Sequence, residues 1–134
     1  MAKKRKKKLP SLRSLEKKAD RLLSEYIREV TRREYFLCPL CDAGPIQACF
    51  HFITRKRKIV RWSVRNVVGS CHRCNFIEQF FPDLSRAWFI RNRGVQTYLD
   101  LVDEARGTRD FNREDMAAII KTFEDLIANE GGIT

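Results

Sequence analysis

Two tight cysteine pairs, Cys38-Pro39-Leu40-Cys41 and Cys71-His72-Arg73-Cys74, constrain this chain more than any other feature. Each Cys-x-x-Cys turn presents two thiolates to one point, and two such turns complete a tetrahedral ligand set. Four soft sulfur donors favour Zn(II). A fully thiolate-ligated ion has no open coordination position, so its expected role is structural. The segment between Cys41 and Cys71 is thereby closed into a loop carrying His51, a cationic run and Asn66. Buried cysteines without metal are the alternative. Cys49 stands outside the set, either as an ordinary buried thiol or as a chemically active one. Five cysteines are an odd number for a disulfide framework, and the paired spacing points to metal ligation in a reducing cytoplasm.

A chain of 134 residues suggests one domain, and its 43% hydrophobic content supplies a modest core that a metal would supplement. No apolar run reaches the roughly 18 residues of a membrane span, and no apolar segment of a secretory signal follows the basic N-terminus. A soluble protein with no membrane partner is expected. Lys and Arg number 27 against 17 Asp and Glu, a net +10. Residues 1–94 hold 23 basic and 8 acidic residues, whereas residues 95–134 hold 4 and 9. The positive charge therefore sits with the cysteines and His51, where it attracts phosphates; a basic surface that merely aids solubility is the alternative.

Residues 3–8 are all cationic, so residues 1–10 read as a disordered basic arm. It suits a DNA backbone, a nuclear import signal in a eukaryotic setting, or solubility alone. Residues 11–134 form the single domain. Helical spacing runs from Leu12 through Leu22, Leu23 and Ile27, predicting one helix over residues 12–33 with a solvated cationic face. Ile46 to Phe52 alternates: Ile46, Ala48, Phe50 and Phe52 share one side, and Gln47, Cys49 and His51 the other. A strand with His51 on its polar face is expected there. Arg55 to Lys58 reads as an exposed loop and Ile59 to Trp62 as a returning strand. Helices are expected over residues 83–93, stopping at Gly94, and over residues 95–105. A last helix begins at Asn112, with Asp115 as capping-box partner and Phe111 stapled to Met116. The fold class is α+β.

His51 is the candidate general base. Hydrolysis of a phosphodiester at neutral pH needs a group to deprotonate water, and a neutral imidazole suits that task. A structural histidine is the alternative. Asn66 is placed to orient the imidazole through its side-chain carbonyl. His72, inside a Cys-x-x-Cys turn, reads as a surface residue.

The series Ser24-Glu25-Tyr26-Ile27-Arg28, Cys38-x-x-Cys41, Cys49-Phe50-His51-Phe52, Arg61-Trp62, Asn66, Cys71-x-x-Cys74-Asn75 and Gly94 resembles the NinG/Rap recombination nucleases of lambdoid phages, within the His-Asn-His (HNH) superfamily. The similarity runs from the first helix to about Gly94, with a weaker helical match beyond. It implies a small zinc-stapled ββα-metal core flanked by helices, and cleavage of branched DNA in a bacterial host's cytoplasm. Carried over by motif, His51 is the base, Asn66 the middle Asn and Asn75 the final polar residue after the second knuckle. Structural Zn(II) sits on Cys38, Cys41, Cys71 and Cys74. A catalytic Mg(II) or Mn(II) lies near Asn75, and Arg55, Lys56, Arg57, Lys58, Arg61 and Arg65 clamp phosphates. A homodimer is a further possibility.

The chain departs from the pattern at Phe50, where many HNH motifs carry a metal-binding Asp, and at Phe80-Phe81, where Gly-Asn is expected. His51, His72, Asn75, Asp83 or phosphate oxygens are then left to hold the catalytic ion. Two functions stay open: a metal-assisted, structure-selective DNA endonuclease, and a noncatalytic zinc module binding DNA or a partner. A carboxylate reaching His51 from elsewhere favours the first. A His51 packed behind Phe50, Phe80 and Phe81 favours the second.

Overall fold

The computed structural model describes residues 10–131. The basic arm expected over residues 1–10 falls outside them, apart from Pro10. Helix α1 (Leu12–Glu34) starts where the Ser11 hydroxyl accepts the Ser14 N–H at 3.2 Å. Its Ala19, Leu22, Leu23 and Ile27 are all buried, as their helical spacing requires. After the first cysteine turn, β1 (Ala48–His51) pairs antiparallel with β2 (Val67–Ser70), Ala48 opposite Ser70 and His51 opposite Val67. Helix α2 (Lys58–Arg61) and a 3-10 turn at Val64–Asn66 lie between the strands. Helix α3 (His72–Ile77) follows β2 directly, and α4 (Asp83–Arg93), α5 (Val95–Arg106) and α6 (Arg113–Gly131) complete the chain. The class is α+β, mostly helical around a two-stranded sheet.

The expected strand at Ile59 to Trp62 is instead α2 and the residue after it. In a strand, Val60 and Trp62 would point to the same side. Here Val60 joins one buried cluster, with Phe50, Val68, Trp88 and Phe89, and Trp62 joins the other, with Leu23, Val67 and Met116. A helical turn separates the two side chains. The returning strand is the β-branched pair Val67-Val68, which sends one valine into each cluster.

The sheet is thus covered on both sides, and β1 is shorter than its sequence alternation. Phe50 packs toward α4 and α5, whereas Cys49 lies against the cluster built from α1 and α6. The side expected to be polar is roofed by α1. That roof is close: the Gly69 N–H donates to Thr31 Oγ1 at 2.9 Å, and a Cβ on Gly69 would meet Thr31 Cβ at 2.8 Å. Gly69→Ala should therefore cost about 1–3 kcal/mol, the usual range for overpacking, and a lowered denaturation midpoint would register it. An unchanged midpoint would mean α1 does not rest on β2.

Gly94 takes φ +92°, which ends α4 and turns the chain into α5. At the start of α6, Asn112 and Asp115 cap reciprocally: Asn112 N–H donates to Asp115 Oδ2 at 3.0 Å, and Asp115 N–H to Asn112 Oδ1 at 2.8 Å. Among the described residues no helix is long and apolar enough to cross a membrane.

Candidate functional site

Both cysteine turns are built by local backbone bonds. Cys38 N–H donates to the Gly44 carbonyl and Asp42 N–H to the Cys38 carbonyl, each at 2.7 Å. Asp42 takes φ +55°, a left-handed conformation that Asp tolerates. In the second turn Cys71 caps α3, its Sγ accepting the Cys74 N–H at 3.4 Å. The four Sγ atoms of Cys38, Cys41, Cys71 and Cys74 lie within 4.8 Å of one another, with Cys41 and Cys71 at 3.8 Å. A tetrahedral ion about 2.3 Å from each sulfur would set them about 3.8 Å apart. The cluster can therefore hold a structural metal ion with small side-chain adjustments.

The thiols differ in their surroundings. Burial raises Cys38 and Cys74 above the ordinary thiol range. At Cys41 burial also works upward, but the N–H groups of Gly44 and Ala43 and neighbouring thiols outweigh it, drawing the group down to about 7. Cys49 is pushed up to about 12 by burial, with the Asp20 charge acting the same way. It stays protonated, as an inert buried thiol does.

His51 ends β1 and is half-buried under α1. Its Nε2 lies 2.9 Å from the Arg61 carbonyl. A carbonyl only accepts, so Nε2 carries the proton and the neutral ring keeps its lone pair on Nδ1. No hydrogen bond to Nδ1 is found among the described residues. Burial holds the imidazole below its usual pKa; Arg55 and Arg61 act in the same direction, against the carbonyl bond and Asp20. The ring is neutral at pH 7, as a base must be.

Asn66 does not orient this ring directly. It is fully buried (0% exposed), its Oδ1 accepting the Ile53 N–H at 2.8 Å. Its Nδ2 donates to the Ile53 and Val60 carbonyls at 3.0 and 3.1 Å. Asn66 thus ties together the loop that offers the Arg61 carbonyl. Its effect on His51 runs through the backbone, because the imidazole's partner is Arg61.

The cationic set divides. Arg61 is half-buried against α1 (14% side-chain exposure), forking onto Asp20 at 3.0 and 2.5 Å and reaching Glu16 at 3.4 Å. The Trp62 indole also donates to Asp20, at 2.9 Å. Lys58 pairs with Glu16 and Arg65 with Glu104. Arg61 is therefore structural, not a free phosphate clamp, and the open cations of the loop are Arg55, Lys56 and Arg57. Asp20→Ala would leave Trp62 without its acceptor and Arg61 with Glu16 alone; a loss of about 3 kcal/mol is expected in chemical denaturation. A loss below about 0.5 kcal/mol would place the pair among ordinary surface bridges.

Other expected partners are not assembled around His51. Phe50 is buried on the opposite side of β1, and Phe80 and Phe81 are exposed, so neither covers the imidazole. Asp20 acts on His51 through its charge, yet its oxygens are taken by Arg61 and Trp62. Among the described residues, the four cysteines are the one group of three or more His, Cys, Asp or Glu ligands close enough to share an ion. The residues near His51, His72, Asn75 and Asp83 thus form no second protein cradle of that kind for Mg(II) or Mn(II). Asn75 sits half-buried on α3, with its backbone N–H on the Cys71 carbonyl.

Three contributors carry no signal of their role in the motifs. Glu16 and Asp20, one helical turn apart, are the acids that anchor Arg61; the i, i+4 spacing was the available signal. Arg93 donates to the Arg65 and Val67 carbonyls, both at 2.9 Å, beneath the entry to β2. Its guanidinium lies over Phe52, Trp88 and Phe89.

Comparisons were made with family models, curated proteins and solved structures. None matches this chain.

Proposed function

We propose that this chain is a zinc-stapled protein that binds DNA and hydrolyses phosphodiester bonds in branched or recombination-intermediate DNA, in the manner of the NinG/Rap nucleases. The observation that carries this reading is the His51 ring. One nitrogen is held on the Arg61 carbonyl and the other has no hydrogen bond among the described residues, beside a loop bearing Arg55, Lys56 and Arg57. The order of strand, loop, strand and helix, with β2 leading straight into the second cysteine turn, also suits an HNH-type core. The sulfur spacing suits Zn(II) in the structural role.

In this mechanism His51 Nδ1 takes a proton from water as its oxygen bonds to phosphorus. The bond to the departing sugar oxygen then breaks, and that oxygen is protonated from solvent. Arg55, Lys56 and Arg57 meet the phosphate charge. With no three-ligand cradle for a second ion among the described residues, no step is assigned to one. Asn66 is a positioning residue.

The second reading, a noncatalytic zinc module, is favoured by that missing cradle and by Phe50 in the core. One experiment separates them: metal-replete protein is incubated with linear, nicked and four-way DNA and Mg(II) or Mn(II). Nicking of a branched substrate supports the nuclease; intact DNA despite binding leaves the noncatalytic module.

Binding itself should fall with salt. Counterion release gives a log–log slope of about −0.9 per phosphate neutralised. Replacing Arg55, Lys56 and Arg57 with Ala should flatten the slope by up to about 2.7 without changing the melting temperature. An unaltered slope would put the DNA surface elsewhere.

A further inference from the structure

Phe76, Phe80 and Phe81 are 63%, 62% and 70% exposed on one short stretch after the second cysteine turn. Three large rings facing water within six residues are not needed by the core, and such patches mark contact surfaces. Their placement is well defined. Phe76 lies on α3, and the N–H groups of Phe80 and Phe81 both donate to the Ile77 carbonyl, at 3.0 and 3.1 Å. The Phe76 and Phe80 rings meet edge to face at 5.5 Å. The cavity of about 530 Å³ by α3 is lined by Cys41, Cys71 and Cys74 together with His72, Arg73 and Ile77, so it belongs to the cysteine cluster and not to the rings.

The charges around this patch select its occupant. Arg73 stands one turn before Phe76 on α3, and His72 precedes it. Of the acids close by in sequence, Glu78 is buried with its carboxylate accepting the Ser85 N–H at 2.8 Å, and the exposed Asp83 lies 3.7 Å from Arg86, whose charge offsets it. The exposed surface is therefore aromatic, with Arg73 as the cation one helical turn away. An unpaired nucleotide offers the complement: an apolar base face and a phosphate.

We infer that Phe76, Phe80 and Phe81 form a stacking platform for unpaired bases of DNA, with Arg73 on the adjoining phosphate. This rests on the proposed function and names the feature of branched DNA that it recognises. β2 runs into the second cysteine turn opposite Ala48, and His51 ends β1 about 10 Å further along, so α3, which bears Phe76, and His51 belong to opposite ends of the sheet.

The test uses the full chain, metal-replete and without Mg(II) or Mn(II). Fluorescence anisotropy compares oligothymidylate, a duplex of equal length, and a splayed fork with 2-aminopurine in its unpaired arm. The wild type should bind single strand and fork more tightly than duplex, and quench the 2-aminopurine. In the F80A/F81A variant, affinity for single strand should fall about 30-fold or more, from two lost base stacks at the low end of their usual worth. Duplex affinity should change less than about threefold. The F80L/F81L variant keeps apolar bulk without rings and should lose the same preference, so impaired folding of the alanine variant cannot hide the answer.

Equal losses on single strand and duplex, or unquenched 2-aminopurine with the wild type, overturn the inference. So does a wild-type dimer in sedimentation that the leucine variant preserves, which would assign the patch to a second copy. Duplex binding without single-strand preference sinks this inference alone. Absence of duplex binding and of nicking sinks the nuclease reading, whatever the single-strand result.

Discussion

Cys71→Ser is expected to yield a chain that neither retains a metal ion nor melts cooperatively. Cys71 is a member of the four-sulfur cluster, caps α3 and is buried between the first cysteine turn and the sheet. Zn(II) at such a site contributes on the order of 10 kcal/mol in apparent terms, against a typical net stability of about 5–15 kcal/mol. Removing one ligand therefore takes away most of what holds the two turns together. Elemental analysis gives the metal content, and thermal melting by circular dichroism gives the fold. Cys49→Ser is the control: Cys49 lies outside the cluster, so metal should stay at one ion per chain while the melting temperature falls by a few degrees. Wild-type protein purified without chelator and found free of Zn(II) would remove the basis for the structural-metal assignment.

The second large effect concerns His51. His51→Ala should slow nicking of branched DNA by a factor of about 100 or more while metal content and DNA affinity stay unchanged. The stability cost is expected to be about 1–2 kcal/mol, since the Arg61 carbonyl loses one donor and the half-buried ring leaves a small space. Asn66→Ala should impair both turnover and stability, because the Ile53 and Val60 backbone groups lose their partners together. If His51 is purely structural, the outcome reverses: the wild type nicks nothing, and His51→Ala costs stability comparable to a core truncation.

The pH dependence separates these cases further. The folded-state pKa of His51 lies below its unfolded value near 6.5, because burial disfavours the imidazolium. Between the two values the unfolded chain binds more protons, so stability rises with pH there. The contribution is fully present above about pH 6.5 and is lost as pH falls through the folded pKa. Nicking should follow the neutral ring, level from pH 6.5 upward and falling only below the folded pKa. Both slopes should vanish in His51→Ala. A nicking rate still climbing between pH 7 and 8 would assign the proton transfer to another group.

Local patterns in this chain are unusually legible. The step of three and four along α1, the Asn112–Asp115 cap and the stop at Gly94 each depend on residues within one or two helical turns, and the structure has all three. The cysteine cluster was legible for a related reason. A Cys-x-x-Cys turn already aims two sulfurs at one point, and two such turns have little else to do but meet. Thus helices, capping and the ligand set for one metal ion were determined by the sequence itself, because short-range geometry decides them.

What the sequence left open were choices made across the chain. Ile59 to Trp62 alternates well enough for a strand, yet Val60 and Trp62 belong to different cores, and only the position of α1 decides that. Arg61 belongs by sequence to a phosphate-binding run, but Asp20, 41 residues earlier, claims it. His51 was expected on an open polar face and lies under a helix instead, with a distant carbonyl selecting its tautomer. Asn66 serves the loop and not the ring. In each case a charged or hydrogen-bonding group settled on the partner that burial supplied, and burial is a property of packed elements that adjacent residues do not encode.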